Sequence, residues 1–292
     1  MNNNITIAIP SYKRPYLLNR ALTSAISNDD EIEILVAVNG EDEFFGEYKK
    51  IENKYKNFKN ISFFFHKKNI GALDNIFFLI NKCKTNFITL LADDDETNTA
   101  GLIKLKNFLL KNKDYVSGCL YWEFIHSDGI RNLLKPQTFE QNSLLKRVLN
   151  YFFSSDDAFF YGLHRTFALK QCSFEGYWKP NHNELANWAY VFQIDLILQG
   201  KIFLLEEKNY KWINHDYTEK HYFKKKKNFF TRVFKYFIRR LNIYYLYLYK
   251  ILAKRHYYIL IIAFFLIPFL LLRDIFFREP IYHKVKHKNK TD

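Results

Sequence analysis

Short apolar runs alternate with segments of helical spacing along roughly the first 114 residues. The predicted strands are NITIAIP, EIEILVAV, ISFFFH and FITLLA, and a predicted helix follows each of them. The first helix has Pro15 in its opening turn and a row of apolar residues on one face: Leu17, Leu18, Ala21, Leu22, Ala25 and Ile26. Repeated strand–helix units predict an α/β fold, in which a mostly parallel sheet carries helices on both faces.

From residue 115 the alternation is looser. One long strand or a strand pair is predicted for YVSGCLYWEFI, a helix for NSLLKRVLNYFF and a short strand for AFFYGLHR. A helix ending at Gly200 is predicted for ELANWAYVFQIDLILQG, and two strands around a turn for KIFLLEEKNYKWINH. We therefore predict one globular domain over residues 1–218, with halves at 1–114 and 115–218.

The end of the chain differs in composition from this domain. Residues 220–292 hold 18 Lys and Arg against 3 Asp and Glu, which accounts for the net charge of +14 of the whole chain. The longest uncharged run, from Tyr257 to Leu272, is interrupted by Pro268 and is shorter than the ~20 residues of a typical membrane span. We interpret residues 219–292 as a basic, aromatic-rich helical region that lies on an anionic membrane surface.

Other interpretations of this tail stay open: a buried helical hairpin, an interface in a homo-oligomer, or a single membrane span. Nucleic acid is disfavoured as a partner, because the basic residues flank apolar runs rather than line a polar face. The start MNNNITIAIP lacks the basic and apolar regions of a signal peptide, and the three cysteines form no CxxC pair. We expect a cytoplasmic protein, peripherally associated with the cytoplasmic face of the inner membrane.

Polar clusters follow each of the first four predicted strands: PSYKRP, NGED, HKKNIGALDN and DDDE. Parallel strands end at one edge of a sheet, where ligands of such folds bind. The three consecutive carboxylates Asp93, Asp94 and Asp95 repel one another, and a divalent cation such as Mg²⁺ or Mn²⁺ would offset that repulsion. The alternative is an acidic loop that precedes a helix cap between Thr97 and Thr99.

Three motifs in this order carry a family resemblance: ITIAIPSYKRPYLLNRALTSAI, NIGALDNI and FITLLADDD. Over roughly residues 4–215 the chain resembles family 2 glycosyltransferases with the GT-A fold, a Rossmann-like α/β architecture. The resemblance implies an inverting transferase that uses a nucleotide-diphosphate sugar, preferably a UDP-sugar, and Mn²⁺ or Mg²⁺. A base deprotonates the acceptor hydroxyl while the metal stabilises the departing diphosphate. It also implies that residues 1–114 bind the donor and residues 115–218 the acceptor.

The family motifs also imply individual roles. Where the second strand of family members usually ends in an Asp, this chain reads VAVNGED, so that Asn39, Glu41 or Asp42 must serve. The metal ligands implied are Asp93, Asp95 and His215. The nucleotide-sugar residues implied are Pro10, Ser11, Tyr12, Arg14, Asn39, Glu41, Asn69, Gly71, Asn75, Asp93 and Asp94.

The catalytic base is harder to place. Family members often carry Glu-Asp about a dozen residues before the glycine that ends the late helix, where this chain has Trp188 and Ala189. The nearest acid is Glu184, which also suits a helix start. Asp157 is an alternative base, and Asp195, in mid-helix, is a less favoured one.

His164 and Arg165, in the run YGLHR, are predicted to contact the acceptor, and an exposed turn before a packed strand is the alternative explanation. The function expected is sugar transfer to a hydroxyl of a cell-surface or lipid-linked glycan such as lipooligosaccharide or capsule. Two other functions remain open: transfer to polyprenyl phosphate, which needs no strong base, and a non-catalytic sugar-nucleotide-binding scaffold.

Overall fold

The computed structural model describes residues 3–27, 31–41, 43–125, 131–154, 158–173, 188–213 and 229–274. In the first half, strands and helices alternate as the sequence predicts. Their order is β1 (Ile5–Ser11), α1 (Pro15–Ala25), β2 (Ile32–Val38), α2 (Phe45–Lys54), β3 (Ile61–Phe65), α3 (Ala72–Lys82), β4 (Phe87–Leu90) and α4 (Thr99–Lys111).

The second half adds the remaining strands and a run of helices. It also contains a short 3-10 helix, Ala158–Tyr161. The elements are β5 (Tyr115–Ile125), β6 (Arg131–Leu134), α5 (Leu144–Ser154), β7 (Leu163–Arg165), α6 (Thr166–Lys170), α7 (Trp188–Gln199), β8 (Lys201–Ile213), α8 (Phe229–Ala253) and α9 (Tyr257–Arg273).

The described strands form one sheet in the order β3-β2-β1-β4-β7-β5-β6, and β8 pairs with β5. The strands β1 to β4 are parallel, β7 is antiparallel to both of its neighbours, and β8 is parallel to β5. Successive residues of β1 point to opposite faces, so that Ile7 joins one hydrophobic cluster and Ala8 the other. The predicted mostly parallel α/β sheet with helices on both faces is confirmed.

Two local predictions need correction. The segment after Gly200 is one strand rather than two around a turn, because shifts of register near Leu120 and Tyr121 keep β8 paired along the whole of β5. The predicted strand AFFYGLHR begins instead with the 3-10 helix, and only its last three residues form β7. The long-strand alternative for YVSGCLYWEFI is the one observed.

The helices α8 and α9 form a hairpin that packs on the domain. Tyr247 of α8 and Ile259 of α9 are buried in the same hydrophobic cluster as Val148 of α5 and Phe192 of α7. The hairpin therefore shares a core with the preceding domain. Among the described helices, none has the length and apolar character needed to cross a bilayer. Association with a membrane surface stays a prediction.

Buried polar contacts also join the hairpin to the domain. Lys250 of α8 lies 2.7 Å from the Oδ2 atom of Asp195 on α7, and its ammonium group also bonds to Ser173. The hydroxyl of Tyr247 donates to Tyr151 of α5 at 2.8 Å. Because unpaired polar groups are costly to bury, these pairs favour one packing of the hairpin over others.

Candidate functional site

The candidate site lies at the edge of the sheet where β1, β2 and β4 end. The backbone N–H of Asn39, just after β2, donates to the carbonyl of Ser11 at 2.9 Å. Leu91, just after β4, donates to the carbonyl of Ala8 at 3.0 Å. These bonds hold the polar loops after the three strands side by side, as the sequence predicts.

Asp93 is at the centre of this edge and has no exposed surface. Its Oδ2 atom accepts a hydrogen bond of 2.6 Å from the hydroxyl of Ser11. Its Oδ1 atom lies 2.5 Å from Nη2 of Arg14 and makes an ion pair without hydrogen-bond geometry. The backbone N–H of Tyr12 also donates to this carboxylate. Ser11, Tyr12 and Arg14, at the end of β1 and in the loop after it, therefore all contact Asp93.

Burial raises the pKa of Asp93 to about 7, although the positive charge of Arg14 and the hydrogen bond from Ser11 act in the opposite direction. The neighbouring carboxylate of Asp94 raises the pKa further. The group consequently changes charge near neutral pH, in a location where the charges of a ligand would act on it at short range.

Tyr48 on α2 supports this arrangement and was not predicted from the sequence. Its hydroxyl accepts a hydrogen bond of 2.9 Å from the backbone N–H of Arg14 and lies 3.0 Å from the hydroxyl of Ser11. With Ser11 donating to Asp93, the hydroxyl of Tyr48 donates to Ser11. Nothing in the sequence distinguishes Tyr48, because α2 also contains Phe45 and Ile51 and only the structure shows that Tyr48 is the buried one.

Two arginines of the first half offset the repulsion within the DDDE loop. Arg14 lies 2.5 Å from the carboxylate of Asp94, and Arg20 donates to the carbonyl of Asp94 at 2.5 Å. The side chain of Arg20 also lies 3.5 Å from the carboxylate of Glu96. Arg20 was not predicted, because it lies outside the apolar row of α1 and nothing in the sequence distinguishes it from an ordinary charged residue on a helix surface.

The end of β8 closes the other side of the loop. Glu96 and Lys211 form an antiparallel bridge, and their side chains lie 3.3 Å apart. The buried carboxylate of Asp95 accepts a hydrogen bond of 3.2 Å from the backbone N–H of Ile213. The sequence places His215 two residues farther along, outside the described residues.

Asn39, just after β2, fixes the next loop. Its Nδ2 group donates to Oδ1 of Asn69 at 2.9 Å, and its Oδ1 atom accepts from the backbone N–H of Ile70 at 2.9 Å. Gly40 and Gly71 have positive φ angles of 107° and 92°, which side chains rarely allow. A Cβ atom at Gly40 would also lie 2.9 Å from the backbone nitrogen of Asn69.

Asn75, predicted from the NIGALDNI motif, is buried and links two elements. Its amide donates to the carbonyl of Ala37 at 2.9 Å, and its Oδ1 atom lies 3.0 Å from Nε2 of His66. Glu41 and Tyr12 are exposed at the same edge, where a ligand would meet them. Pro10 and Ser11 form the end of β1, as predicted.

The carboxylates at this edge are the predicted metal ligands that the structure describes. Among the described residues, no three His, Cys, Asp or Glu side chains are grouped closely enough to hold a metal ion. Asp93 already contacts Arg14 and Ser11, whereas Asp95 lies beside the end of β8. Mg²⁺ at nucleotide sites is typically held by one or two carboxylates together with phosphates and waters. A site based on Asp95 fits that chemistry.

His164 does not face this edge. Its side chain has no exposed surface, and its ring nitrogens bond to the carbonyl of Phe160 at 2.7 Å and to the hydroxyl of Ser117 at 2.8 Å. Burial lowers the pKa of His164 to about 4, so the ring is neutral at pH 7. The structure corrects the acceptor prediction for this residue, because the core surrounds its side chain.

Arg165 lies at the opposite edge of the sheet. It pairs with Phe87, the first residue of β4, whereas the candidate site follows the last residue of that strand. Its guanidinium donates to the carbonyls of Tyr115, Leu109 and Asn112. The acceptor prediction is therefore corrected for Arg165 too, because its side chain binds carbonyls at the end of α4.

Asp195, the less favoured base, is buried in the contact between α7 and α8 and paired with Lys250. That position corrects the prediction, because a base must reach the acceptor hydroxyl. The other base candidates, Glu184 and Asp157, lie outside the described residues, as does Asp42.

Comparison with known proteins agrees with this fold. The sequence model of the family described as Glycosyl transferase family 2 matches residues 6–170. No curated protein sequence matches significantly. The crystal structure of S. aureus TarS residues 1–349 is similar with a TM-score of 0.52 at 18% identity, covering 72% of this chain and 60% of that one. The complex of that protein with UDP-GlcNAc gives a TM-score of 0.54 at 17% identity, covering 73% and 59%.

The matched part of this chain thus spans about three-fifths of the length of those TarS chains. At such low identity the likeness shows the fold alone. The family match covers more than half of the chain and includes the Ser11, Arg14 and Asp93 cluster. This chain belongs to glycosyl transferase family 2.

Proposed function

We propose that this protein transfers a sugar from a UDP-sugar to a hydroxyl of a cell-surface or lipid-linked glycan, with inversion at the anomeric carbon. The observation that carries the proposal is the buried carboxylate of Asp93, held by Ser11 and Arg14 at the carboxyl edge of the sheet. In parallel α/β sheets this edge is where nucleotides bind. A related fold, that of S. aureus TarS, has been solved with UDP and with UDP-GlcNAc.

The described residues fit the parts of such a donor. Arg14 is a partly exposed cation within reach of a diphosphate, and guanidinium groups bind phosphate oxygens well. Asn39 bonds to Asn69 and to the backbone of Ile70, and so fixes the loop that follows β3. These contacts order the loops before the donor arrives, which lowers the entropic cost of binding.

We also propose that a divalent cation binds here. Its proposed ligands are Asp95, which the structure describes, and His215, which is inferred from the sequence alone. When bound, the cation would stabilise the negative charge of the departing UDP. Glu184 is proposed as the base that deprotonates the acceptor hydroxyl, and Asp157 is the alternative. The acceptor is proposed to be lipid-linked, with the protein peripherally associated with the cytoplasmic face of the inner membrane.

The donor site is tested by the melting temperature of the full chain with UDP, GDP, CMP or dTDP, each with and without Mn²⁺. Binding to the native state raises Tm, by roughly 5 °C at a hundredfold excess over Kd. We expect a Mn²⁺-dependent rise with UDP that disappears in Asp93→Ala and Asp95→Ala. Asp74→Ala, which removes an exposed carboxylate on α3, is the control and keeps the shift.

The outcomes separate the competing functions. No shift with any nucleotide would contradict the donor site. A shift with UDP, without turnover on any oligosaccharide or polyprenyl phosphate, would support a non-catalytic binding protein. Turnover with polyprenyl phosphate as the sole acceptor would contradict the proposed glycan acceptor but would agree with the proposed donor site.

A further inference from the structure

The helix α9 buries only one stripe of its surface. Ile259, Ala263, Ile267 and Leu270 recur at helical spacing and face α8 and the domain. The opposite side is also apolar and is exposed: Phe264, Phe265 and Phe269 have 65%, 69% and 70% of their surface accessible. At about 100° per residue, the exposed residues from Tyr257 to Leu272 cover a continuous arc of roughly 160°. We call this arc the outer face of α9.

The outer face is unusual for a surface helix in water. Helices at the surface of soluble proteins carry charged or polar residues on the side that faces solvent. Here no charged residue occurs between Tyr257 and Leu272. Several exposed aromatic and branched side chains on one helix amount to a patch of several hundred Å², a size typical of interaction sites.

The charges around this face indicate what covers it. Lys254 and Arg255 are exposed in the turn before α9, whereas Arg273, at the end of the helix, is partly buried and paired with Asp274. The sequence that follows, residues 275–292, contains five further Lys and Arg against two acids. An apolar face between basic groups matches the chemistry of a bilayer with anionic head groups, where rings enter the interface and cations pair with phosphates. A second copy of this chain would bring like charges together.

We propose that the outer face of α9 docks on an anionic lipid surface, with α9 lying along the interface. This docking extends the proposed function and rests on it for one point, namely that the acceptor is lipid-linked. The hairpin holds this face in a fixed relation to the domain, because Lys250 and Tyr247 of α8 bond to Asp195 and Tyr151 in the domain. Docking thus also sets how the catalytic domain is oriented over the membrane.

Sedimentation with vesicles tests the proposal, using the full chain and no sugar nucleotide. The vesicles are phosphatidylcholine alone or equimolar phosphatidylcholine and phosphatidylglycerol. We expect binding to the anionic vesicles, and a decrease of at least about tenfold in the partition coefficient for Phe264→Ser/Phe269→Ser. The matched control Phe58→Ser/Phe167→Ser removes two other exposed rings and keeps wild-type binding. Unchanged melting temperatures show that both double variants fold.

Three results would overturn the proposal. The first is a wild-type protein that stays in solution with both kinds of vesicle. The second is an equal loss of binding in the test and control variants. The third is a wild-type dimer that the outer-face substitutions convert to a monomer while vesicle binding is unchanged, because a second copy would then be the occupant. Donor-induced melting is a separate measurement, so failure here leaves the donor site untouched.

Discussion

At the scale of single residues, the chemistry of the site depends on Asp93 and its partners. A carboxylate without exposed surface is stable only where donors or cations offset its lost hydration. Ser11 at the end of β1, and Arg14 and the backbone of Tyr12 in the loop that follows, supply these groups. The same loop would meet a donor diphosphate, so the contacts that stabilise the loop also prepare a binding surface.

Removing Arg14 should therefore destabilise the protein in a pH-dependent way. Asp93 has a pKa of about 7 in the folded state, above its unfolded value, so its contribution to stability is full at low pH and is lost as pH rises through 7. Without Arg14 the ionised form loses its partner. We expect Arg14→Gln to lower the free energy of unfolding by about 2–4 kcal/mol at pH 8 and by less at pH 5.

The measurement is urea unfolding at both pH values, with Lys13→Gln as the control. Lys13 is the neighbouring cation and pairs with the exposed Glu43, so its loss should change stability little at either pH. A loss in Arg14→Gln that is equal at pH 5 and pH 8 would show that the charge of Asp93 is not what Arg14 stabilises.

At the scale of elements, topology decides which side chains can reach the site. The predicted motif YGLHR contains His164 and Arg165 in a strand that is antiparallel to β4. The chain therefore leaves the site edge along β7, and each residue after Leu163 is farther from it. No local pattern in the sequence gives the direction of so short a strand, because direction is set by its neighbours.

Arg165 should consequently matter for stability rather than for acceptor binding. Its guanidinium adds charged hydrogen bonds to the carbonyls of Leu109 and Asn112 at the end of α4, each of which also accepts a backbone N–H. We expect Arg165→Gln to lower the free energy of unfolding by about 1–3 kcal/mol without changing KM for the acceptor. Lys111→Gln, in the exposed last turn of the same helix, should cost only a few tenths of a kcal/mol. A raised acceptor KM with unchanged stability would instead favour the original acceptor prediction.

At the scale of the whole molecule, the hairpin of α8 and α9 completes the fold. Its buried residues join the cluster that α5 and α7 form beneath the sheet. The side chains of Asp195 and Lys250 are 1% and 3% exposed and form the ion pair at the centre of this contact. Removing one partner of such a buried ion pair is costly, because the other charge is then left buried without a partner.

Asp195→Asn should therefore lower the free energy of unfolding by about 3–5 kcal/mol, as measured by urea unfolding. The double variant Asp195→Asn/Lys250→Met should recover part of this loss, since the uncompensated ammonium group is also removed. Lys254→Gln, one turn after Lys250 and exposed, is the control and should have little effect. A large fall in kcat with unchanged stability would return Asp195 to the list of candidate bases.

The sequence by itself determined the strands and helices of the first half, the parallel half of the sheet and the cluster of polar loops at its carboxyl edge. It could do so because strand and helix periodicity, and the position of residues such as Asp93 after an apolar run, are local properties. The tertiary structure alone showed that Tyr48 and Arg20 belong to the site, that Arg165 lies at the far edge, and that Asp195 pairs with Lys250. Those contacts join residues far apart in the chain, and their formation depends on how the elements pack rather than on any local pattern.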